Sequence, residues 1–194
     1  MIDAIPLLLS PEGYQISRSV RLRASASAYL QRTNATTGTD PLKFTVSGWM
    51  KRGLSSAAYF PLLGSDTVSN AFDFIGFSAD NIAFRIRNSS AVDLAQVIST
   101  AVYRDFSAWY HIVAVYDSAN ATATERIKLY VNGVQITSFG IATYPAQNQA
   151  PTGTFLTNMQ IGRTNTNNVN QNYGDGYIAE VNFIDGQALT PSSF

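Results

Sequence analysis

The sequence predicts an all-β fold, either a sandwich of two sheets or a barrel. Short runs of alternating apolar and polar residues are separated by Gly, Asn, Ser, Thr and Pro, which is typical of strands joined by turns. No stretch of about 15 residues has the apolar period of a helix with capping residues at its ends. The pair Asn132-Gly133 joins two alternating runs, and this dipeptide is the strongest short hairpin signal because both of its positions take a positive φ. At least eight such runs indicate a sandwich or a barrel.

The first half of the chain contains four predicted strands, at residues 20–22, 43–51, 72–76 and 82–86. In the second of them Phe44 and Val46 share one face, because side chains alternate along a strand. In the fourth, apolar residues at every second position alternate with Ala83, Arg85 and Arg87. These patterns favour strands with one face in a core and the other nearer solvent.

The second half contains one strand of a different kind. Residues 109–116 are apolar on both faces apart from His111, which predicts a central strand covered on both sides. A short turn at residues 105–108 precedes it, and runs at 127–131, 134–136 and 176–184 follow. The Asn-rich stretch 165–172 has little to bury, so we expect an exposed loop there.

Composition excludes several classes of function. The chain has 194 residues, 13 basic against 13 acidic, no cysteine and 45% hydrophobic residues. A net charge of +0 lacks the basic excess that nucleic-acid binding needs. The absence of cysteine excludes disulfides, a cysteine nucleophile and cysteine-ligated zinc. The longest apolar run, residues 4–9, is far shorter than the roughly 20 residues of a membrane span, and no basic residue precedes it as in a signal peptide. The sequence therefore predicts a single domain with no nucleic-acid or membrane partner.

Six segments, in order along the chain, resemble one family. They are Phe44-Thr45-Val46-Ser47-Gly48-Trp49, residues 109–117 (Trp-Tyr-His-Ile-Val-Ala-Val-Tyr-Asp), Leu129-Tyr130-Val131-Asn132-Gly133, Ile161-Gly162-Arg163, residues 176–181 and Ala188-Leu189-Thr190-Pro191. Together they resemble the concanavalin A-like lectin/glucanase superfamily in its laminin-G-like form. The resemblance implies a jelly-roll sandwich of two antiparallel sheets over residues 17–194, preceded by an N-terminal arm at residues 1–16.

A narrower resemblance involves residues 18–22, 28–33, 104–111 and 185–189. These segments look like laminin-G-like domains in structural proteins of tailed bacteriophages, although such domains often continue past the point where this chain stops. The resemblance implies a virion protein, either a capsid decoration protein or a fibre-associated module, assembled in the bacterial cytoplasm. It would act through contacts with other virion proteins, as a homo-oligomer or bound to a capsid or fibre. The alternative is a lectin-like or receptor-binding module of a tail fibre.

Catalysis is not expected, so no residue is assigned a catalytic role. Glycoside hydrolysis uses two carboxylates at a fixed separation, and the glucanase members of the family carry them as Glu-x-Asp-x-x-Glu. The three glutamates here, Glu12, Glu125 and Glu180, do not have that spacing. His111, the single histidine, is interpreted as structural. A remnant of a glycoside hydrolase is the third hypothesis, after the virion protein and the lectin.

Two kinds of ligand site remain as hypotheses. Aromatic side chains surrounded by neutral amides suit sugars, because amides hydrogen-bond hydroxyl groups at low desolvation cost. The candidates for glycan binding are Tyr144, Asn165, Asn167, Asn168, Asn170, Asn172, Tyr173 and Asp175. No cofactor is expected, but calcium takes oxygen ligands, and its candidate ligands are Asp117, Asn132 and Asp175.

The N-terminal arm carries the last predicted feature. Its apolar residues are Ile2, Ile5, Leu7, Leu8 and Leu9. An exposed apolar arm promotes aggregation, so we expect it to be covered. It would fold over its own sandwich or dock into a neighbouring subunit, as arms exchanged between subunits do.

Overall fold

The computed structural model describes residues 14–33, 38–53, 59–65, 71–151, 158–166 and 170–194. It confirms the all-β prediction and decides for a sandwich, since the strands form two large antiparallel sheets packed face to face. Within the described ranges, no helix is both long and apolar enough to span a membrane.

One sheet, called here the front sheet, has six strands. In spatial order they are β1 (Val20–Leu22), β15 (Gly176–Asp185), β3 (Lys43–Arg52), β8 (Tyr110–Asp117), β9 (Ile127–Val131) and β10 (Val134–Gln135).

The other sheet, called the back sheet, has seven strands. In spatial order they are β11 (Phe139–Thr143), β7 (Asp93–Ser99), β6 (Asn81–Arg87), β5 (Phe72–Ser78), β4 (Tyr59–Ser65), β12 (Asn158–Ile161) and β2 (Leu30–Thr33). A separate hairpin pairs β13 (Arg163–Thr166) with β14 (Asn170–Tyr173). Short 3-10 helices lie at Ala24–Ala26, Ala123–Glu125 and Pro191–Ser193.

The core between the sheets is built on stacked aromatic rings. Phe44 and Tyr116 of the front sheet lie 5.1 Å apart between ring centroids, and Phe84 of the back sheet lies 5.9 Å from Tyr116. All three side chains are fully buried. Offset aromatic pairs at these distances add to the stabilisation that burial provides, so the two sheets are held at a fixed separation.

The predicted central strand is confirmed. Strand β8 lies between β3 and β9, and every residue from Tyr110 to Tyr116 is buried. Its inner side chains join the core, whereas Val113 and Val115 on the other face pack with Tyr130 and Phe194. The predicted hairpin is also present, because Asn132 and Gly133 take φ angles of +50° and +80° between β9 and β10.

The exposed loop expected at residues 165–172 is wrong in part. Residues 163–166 and 170–173 pair as the β13–β14 hairpin, and residues 167–169 lie outside the described ranges. The hairpin packs directly on β4, where a Cβ on Gly64 would lie 2.2 Å from the carbonyl oxygen of Arg163. Thr164 therefore reaches the back sheet, and its hydroxyl donates to the carbonyl of Asp73. Close packing against a glycine explains why this polar segment is partly buried.

Candidate functional site

The outer face of the front sheet is covered in one half and open in the other. The C-terminal segment covers the first half: Leu189 N–H donates to Thr45 Oγ1 at 2.8 Å, and that hydroxyl donates to the carbonyl of Gln187 at 2.7 Å. The second half, called here the open face, carries both tryptophans of the chain, Trp49 and Trp109, each half-buried. Large aromatic residues that remain accessible on a flat sheet are candidates for ligand contact.

A depression of about 370 Å³ lies at the centre of the open face, and we call it the Trp49 pocket. Its lining residues are Tyr14, Ser47, Trp49, His111, Glu180, Asn182, Ser193 and Phe194.

Three rings stack in a row across this pocket. Trp49 of β3 lies 4.8 Å from the His111 ring on β8, with 27° between their planes. On the other side, toward β15, Tyr14 stacks on Trp49 with centroids 5.3 Å apart and planes within 10°. His111 is buried, whereas Tyr14 is 61% exposed. The Trp49 indole thus stacks on a ring of the sheet, His111, and on Tyr14, a side chain near the N-terminus.

The polar group beside these rings is placed by a β-bulge. The register between β15 and β3 shifts between Ala179 and Asn182, and Glu180 inside the shift has a φ of +52°. A residue other than glycine seldom adopts this left-handed conformation, and bulges re-aim side chains next to binding sites. Here the bulge leaves Glu180 exposed at the pocket, where it accepts a hydrogen bond from the Tyr14 hydroxyl. That bond raises the pKa of Tyr14.

His111 keeps the pocket floor neutral. Its Nε2 lies 2.9 Å from Ser47 Oγ, a contact that needs only an uncharged imidazole and a hydroxyl. Burial lowers the pKa of His111, and the nearby negative charge of Glu180 opposes this only in part. The pocket therefore combines a neutral aromatic floor with one exposed carboxylate.

A second aromatic row lies beside the first. Tyr177 and Trp109 are 6.4 Å apart between centroids, and the guanidinium of Arg21 lies 5.6 Å from the Tyr177 ring. Tyr177 pairs with Lys51, two positions along β3 from Trp49. Two residues along a strand correspond to about 6.5 Å. The open face can thus contact a ligand longer than a single small ring.

The glycan candidates predicted from sequence do not form one site. Tyr173 lies beside Tyr29 at 6.1 Å and Arg163 at 5.7 Å, next to the β2 edge of the back sheet. Tyr144 follows β11 at the opposite edge and packs against the core. Six inter-strand spacings separate these edges, about 29 Å.

The other candidates for glycan binding differ in their exposure. Asn165 is only 3% exposed, so little of its side chain is accessible, and its role in sugar binding stays a prediction. Asn172 and Asp175 are half-buried near Tyr173, and Asn170 lies in β14. Asn167 and Asn168 lie outside the described residues.

The calcium candidates are also far apart. Asn132 is level with His111 at the start of β8, since its Oδ1 accepts from His111 N–H at 2.8 Å. Asp117 ends the same strand six residues later, about 20 Å away, beside Lys43 at 3.8 Å. Asp175 lies at a third place, where its carbonyl accepts from Gly53 N–H. The structure therefore does not bring the three predicted ligands together, and the part of the chain that it describes holds no cluster of three or more His, Cys, Asp or Glu side chains.

The apolar arm residues Ile2, Ile5, Leu7, Leu8 and Leu9 lie outside the described residues. The described end of the arm, Tyr14, contacts its own front sheet.

Sequence reasoning missed the open face. It treated the segments containing Trp49 and Trp109 as parts of family strands. The signal was present in the alternation, because Trp49 has the opposite parity to the core residues Phe44 and Val46. A tryptophan at an outward position of a sheet is unusual enough to mark a surface.

The sequence model of one family matches residues 24–193, and that family is described as the concanavalin A-like lectin/glucanases superfamily. No curated protein matches the sequence.

Three solved structures illustrate the shared fold. The carbohydrate-binding module CBM40 of the Ruminococcus gnavus IT-sialidase is 16% identical, with a TM-score of 0.58 over 84% of this chain and 95% of its own. Domain 4 of the Geobacillus stearothermophilus arabinanase AbnA, solved with arabinotriose, is 19% identical, with a TM-score of 0.52 over 78% of this chain and 64% of that one. Domains LG4-5 of the mouse laminin α1 chain are 13% identical, with a TM-score of 0.55 over 98% of this chain and 47% of theirs. This chain thus spans less than two thirds of the arabinanase and laminin fragments.

Proposed function

Because this chain belongs to the concanavalin A-like lectin/glucanase superfamily, we propose that it is a non-catalytic carbohydrate-binding module whose site is the open face of the front sheet. The observation that carries the proposal is the Trp49 pocket: a half-exposed indole on a neutral floor, with Glu180 and Asn182 at its rim. A sugar ring has a flat apolar side and hydroxyl groups at its edge, so it needs these two kinds of contact together.

Binding would begin at Trp49. The C–H face of the sugar packs on the indole surface that Tyr14 covers in this structure. The hydroxyl groups of the sugar donate hydrogen bonds to Glu180 and form hydrogen bonds with Asn182. Tyr14 makes the same two kinds of contact, a ring on Trp49 and a hydroxyl on Glu180. A sugar at this position therefore displaces the Tyr14 side chain. The second row, with Tyr177 and Trp109, extends the contact to a neighbouring sugar unit.

The residues of the Trp49 pocket favour binding over hydrolysis. Among the described residues that line the Trp49 pocket, Glu180 has the one side-chain carboxylate. Hydrolysis by the usual route needs a second carboxylate about 5–9.5 Å away. A hydrolase remnant thus has less support than a binding module.

Solved relatives support a glycan as the ligand. The R. gnavus module was also solved bound to α2,3-sialyllactose, with a TM-score of 0.56 to this chain. The arabinanase domain was solved with arabinotriose. These ligands belong to those proteins, and they support the class of ligand proposed for this chain.

A structural role in a phage particle remains a prediction. None of the three structures compared above is described as a virion protein. The glycan-binding alternative has the better support, and a module of this kind on a fibre would unite the two.

A glycan array tests the proposal, with the full chain and two variants, Trp49→Ala and Tyr173→Ala. We expect the wild-type protein to bind at least one class of glycan and Tyr173→Ala to bind it with the same affinity. Trp49→Ala should bind it at least about tenfold more weakly, which corresponds to a loss of about 1.4 kcal/mol in binding free energy. Tyr173 is the matched control because it is also a half-buried aromatic residue. Binding that survives in Trp49→Ala and is lost in Tyr173→Ala would move the site to the β13–β14 hairpin, and no binding by any form would refute the function.

A further inference from the structure

An apolar groove lies at one edge of the sandwich, away from the open face. It runs between β1 and β15 of the front sheet and β2 and β12 of the back sheet, and we call it the edge groove. Its volume is about 490 Å³, and its apolar lining residues are Val20, Leu22, Leu30, Ile161, Ile178 and Val181. A further depression of about 200 Å³ shares three of these residues and continues toward Met159 and Phe183.

Apolar side chains on both sides of the groove are exposed. Its outer strands are short, with three residues in β1 and four in β2, so they do not close over the core. Val20 is 46% exposed and Leu30 is 48% exposed, one on each side of the gap. Facing apolar side chains that line a concave surface indicate a docking site.

We propose that the edge groove is the docking site for residues 5–9 of the same chain, Ile5-Pro6-Leu7-Leu8-Leu9. Three independent features select this occupant: its composition, its reach and its charge.

The composition fits because all five residues are apolar. Burying leucine side chains stabilises a protein, and the groove supplies aliphatic partners for several of them.

The reach fits because Tyr14, the first described residue, is held close to the groove. Tyr14 bonds to Glu180, and Glu180 lines both the Trp49 pocket and the edge groove. Four residues, 10–13, separate Leu9 from Tyr14. The five Cα steps from Leu9 to Tyr14 span at most about 18 Å, more than three inter-strand spacings of about 4.8 Å. The apolar segment can therefore turn back into the groove of its own chain.

The charge fits as well. Residues 1–13 carry two charged side chains, Asp3 and Glu12, both acidic. The residues lining the groove and its extension include two exposed basic side chains, Arg18 and Arg32, against one acidic side chain, Glu180, so the lining has a net positive charge. Opposite charges at the rim guide an acidic segment toward the groove.

Engineered disulfides test the docking, because the natural chain has no cysteine to interfere. The test variant is the full chain with Leu8→Cys and Leu30→Cys, and a second variant pairs Leu7→Cys with Leu30→Cys in case Leu8 points away from the groove. The control pairs Leu8→Cys with Val134→Cys, since Val134 is 71% exposed on β10 at the opposite edge of the front sheet. Each protein is oxidised mildly at low concentration, then analysed on a non-reducing gel and by thiol titration.

We expect at least one groove pair to lose its thiols as a cross-linked monomer, while the control pair keeps them. Covalent dimers as the main product of both groove pairs would overturn the proposal, since the arm would then occupy a second copy. Free thiols in both groove pairs would overturn it too, since the groove would then have another occupant or none.

A second measurement does not depend on cross-linking geometry. Replacing Leu7, Leu8 and Leu9 with serine should lower the melting temperature by at least about 4 °C, whereas Val134→Ser should leave it nearly unchanged. Equal melting temperatures for the triple variant and the wild type would contradict docking. Neither measurement involves a glycan, so the docking of residues 5–9 in the edge groove is tested independently of the proposed function.

Discussion

The open face and the β13–β14 hairpin both combine aromatic and polar residues, but these residues have different environments in the two regions. In the hairpin, the aromatic rings are partners of the protein itself: Arg163 lies 4.6 Å from the Tyr29 ring and 5.7 Å from the Tyr173 ring, and is only 7% exposed. On the open face, the half-buried Trp49 stacks on Tyr14, which is itself 61% exposed. Residue types alone do not distinguish a binding surface from an internal contact; accessibility does.

The largest expected effect of altering one of these two regions is on stability, when the packing of the β13–β14 hairpin is changed. Gly64→Ala places a Cβ 2.2 Å from the Arg163 carbonyl, so the hairpin must move away from β4. Overpacking of this kind costs about 1–3 kcal/mol. We expect the free energy of unfolding in urea to fall by that amount while glycan affinity stays unchanged.

The matched control is Gly140→Ala, since a Cβ at Gly140 meets only one side-chain atom, 4.0 Å away. Loss of glycan binding in Gly64→Ala, with the protein still folded, would show that the hairpin belongs to the site.

A smaller effect is expected on affinity. Glu180→Gln keeps the size of the side chain at the Trp49 pocket but removes its charge. A hydrogen bond to a charged group stabilises a complex more than a bond to a neutral group. Because Glu180 is exposed, solvent weakens this difference, and we expect Glu180→Gln to bind the glycan about threefold more weakly in calorimetric titration.

Asp175→Asn makes the same chemical change beside the hairpin, and we expect it to bind as the wild type does. Tyr14→Phe should bind slightly more tightly, because the hydroxyl that competes for Glu180 is removed. A weaker Asp175→Asn with an unaffected Glu180→Gln would reverse the assignment of the site.

The smallest effect is on pH dependence, and it reports on the open face alone because His111 is the only histidine. Burial lowers its pKa in the folded protein below the usual value of about 6.5. Below that pH the unfolded chain binds a proton that the folded protein does not, so the free energy of unfolding decreases as the pH falls from 7.5 to 5.5. In His111→Gln this contribution should disappear, and an unchanged pH dependence in that variant would show that His111 is not responsible.

Much of the fold could be predicted from the sequence, and the reasons are local. The alternation around Phe44 and the pair Asn132-Gly133 are set by strand geometry and turn conformation, which neighbouring residues determine. The burial of Thr164 could not be predicted, because Thr164 packs on Gly64, a hundred residues earlier in the chain.

The candidate site was missed for a related reason. The Trp49 pocket joins side chains from β3, β8, β15 and the N-terminal segment, so no single stretch of sequence contains it. Glu180 in particular reaches the pocket through a bulge, and the alternation of β15 gives no sign of one.

The most direct test of the central claim is the fluorescence of Trp49 during a glycan titration. The variant Trp109→Phe leaves Trp49 as the only tryptophan, because the chain has two. A glycan identified on the array should change the emission of Trp49 in a saturable manner, with the same dissociation constant that calorimetry gives. Saturation of binding by calorimetry with no change in Trp49 emission would contradict a sugar stacked on this residue.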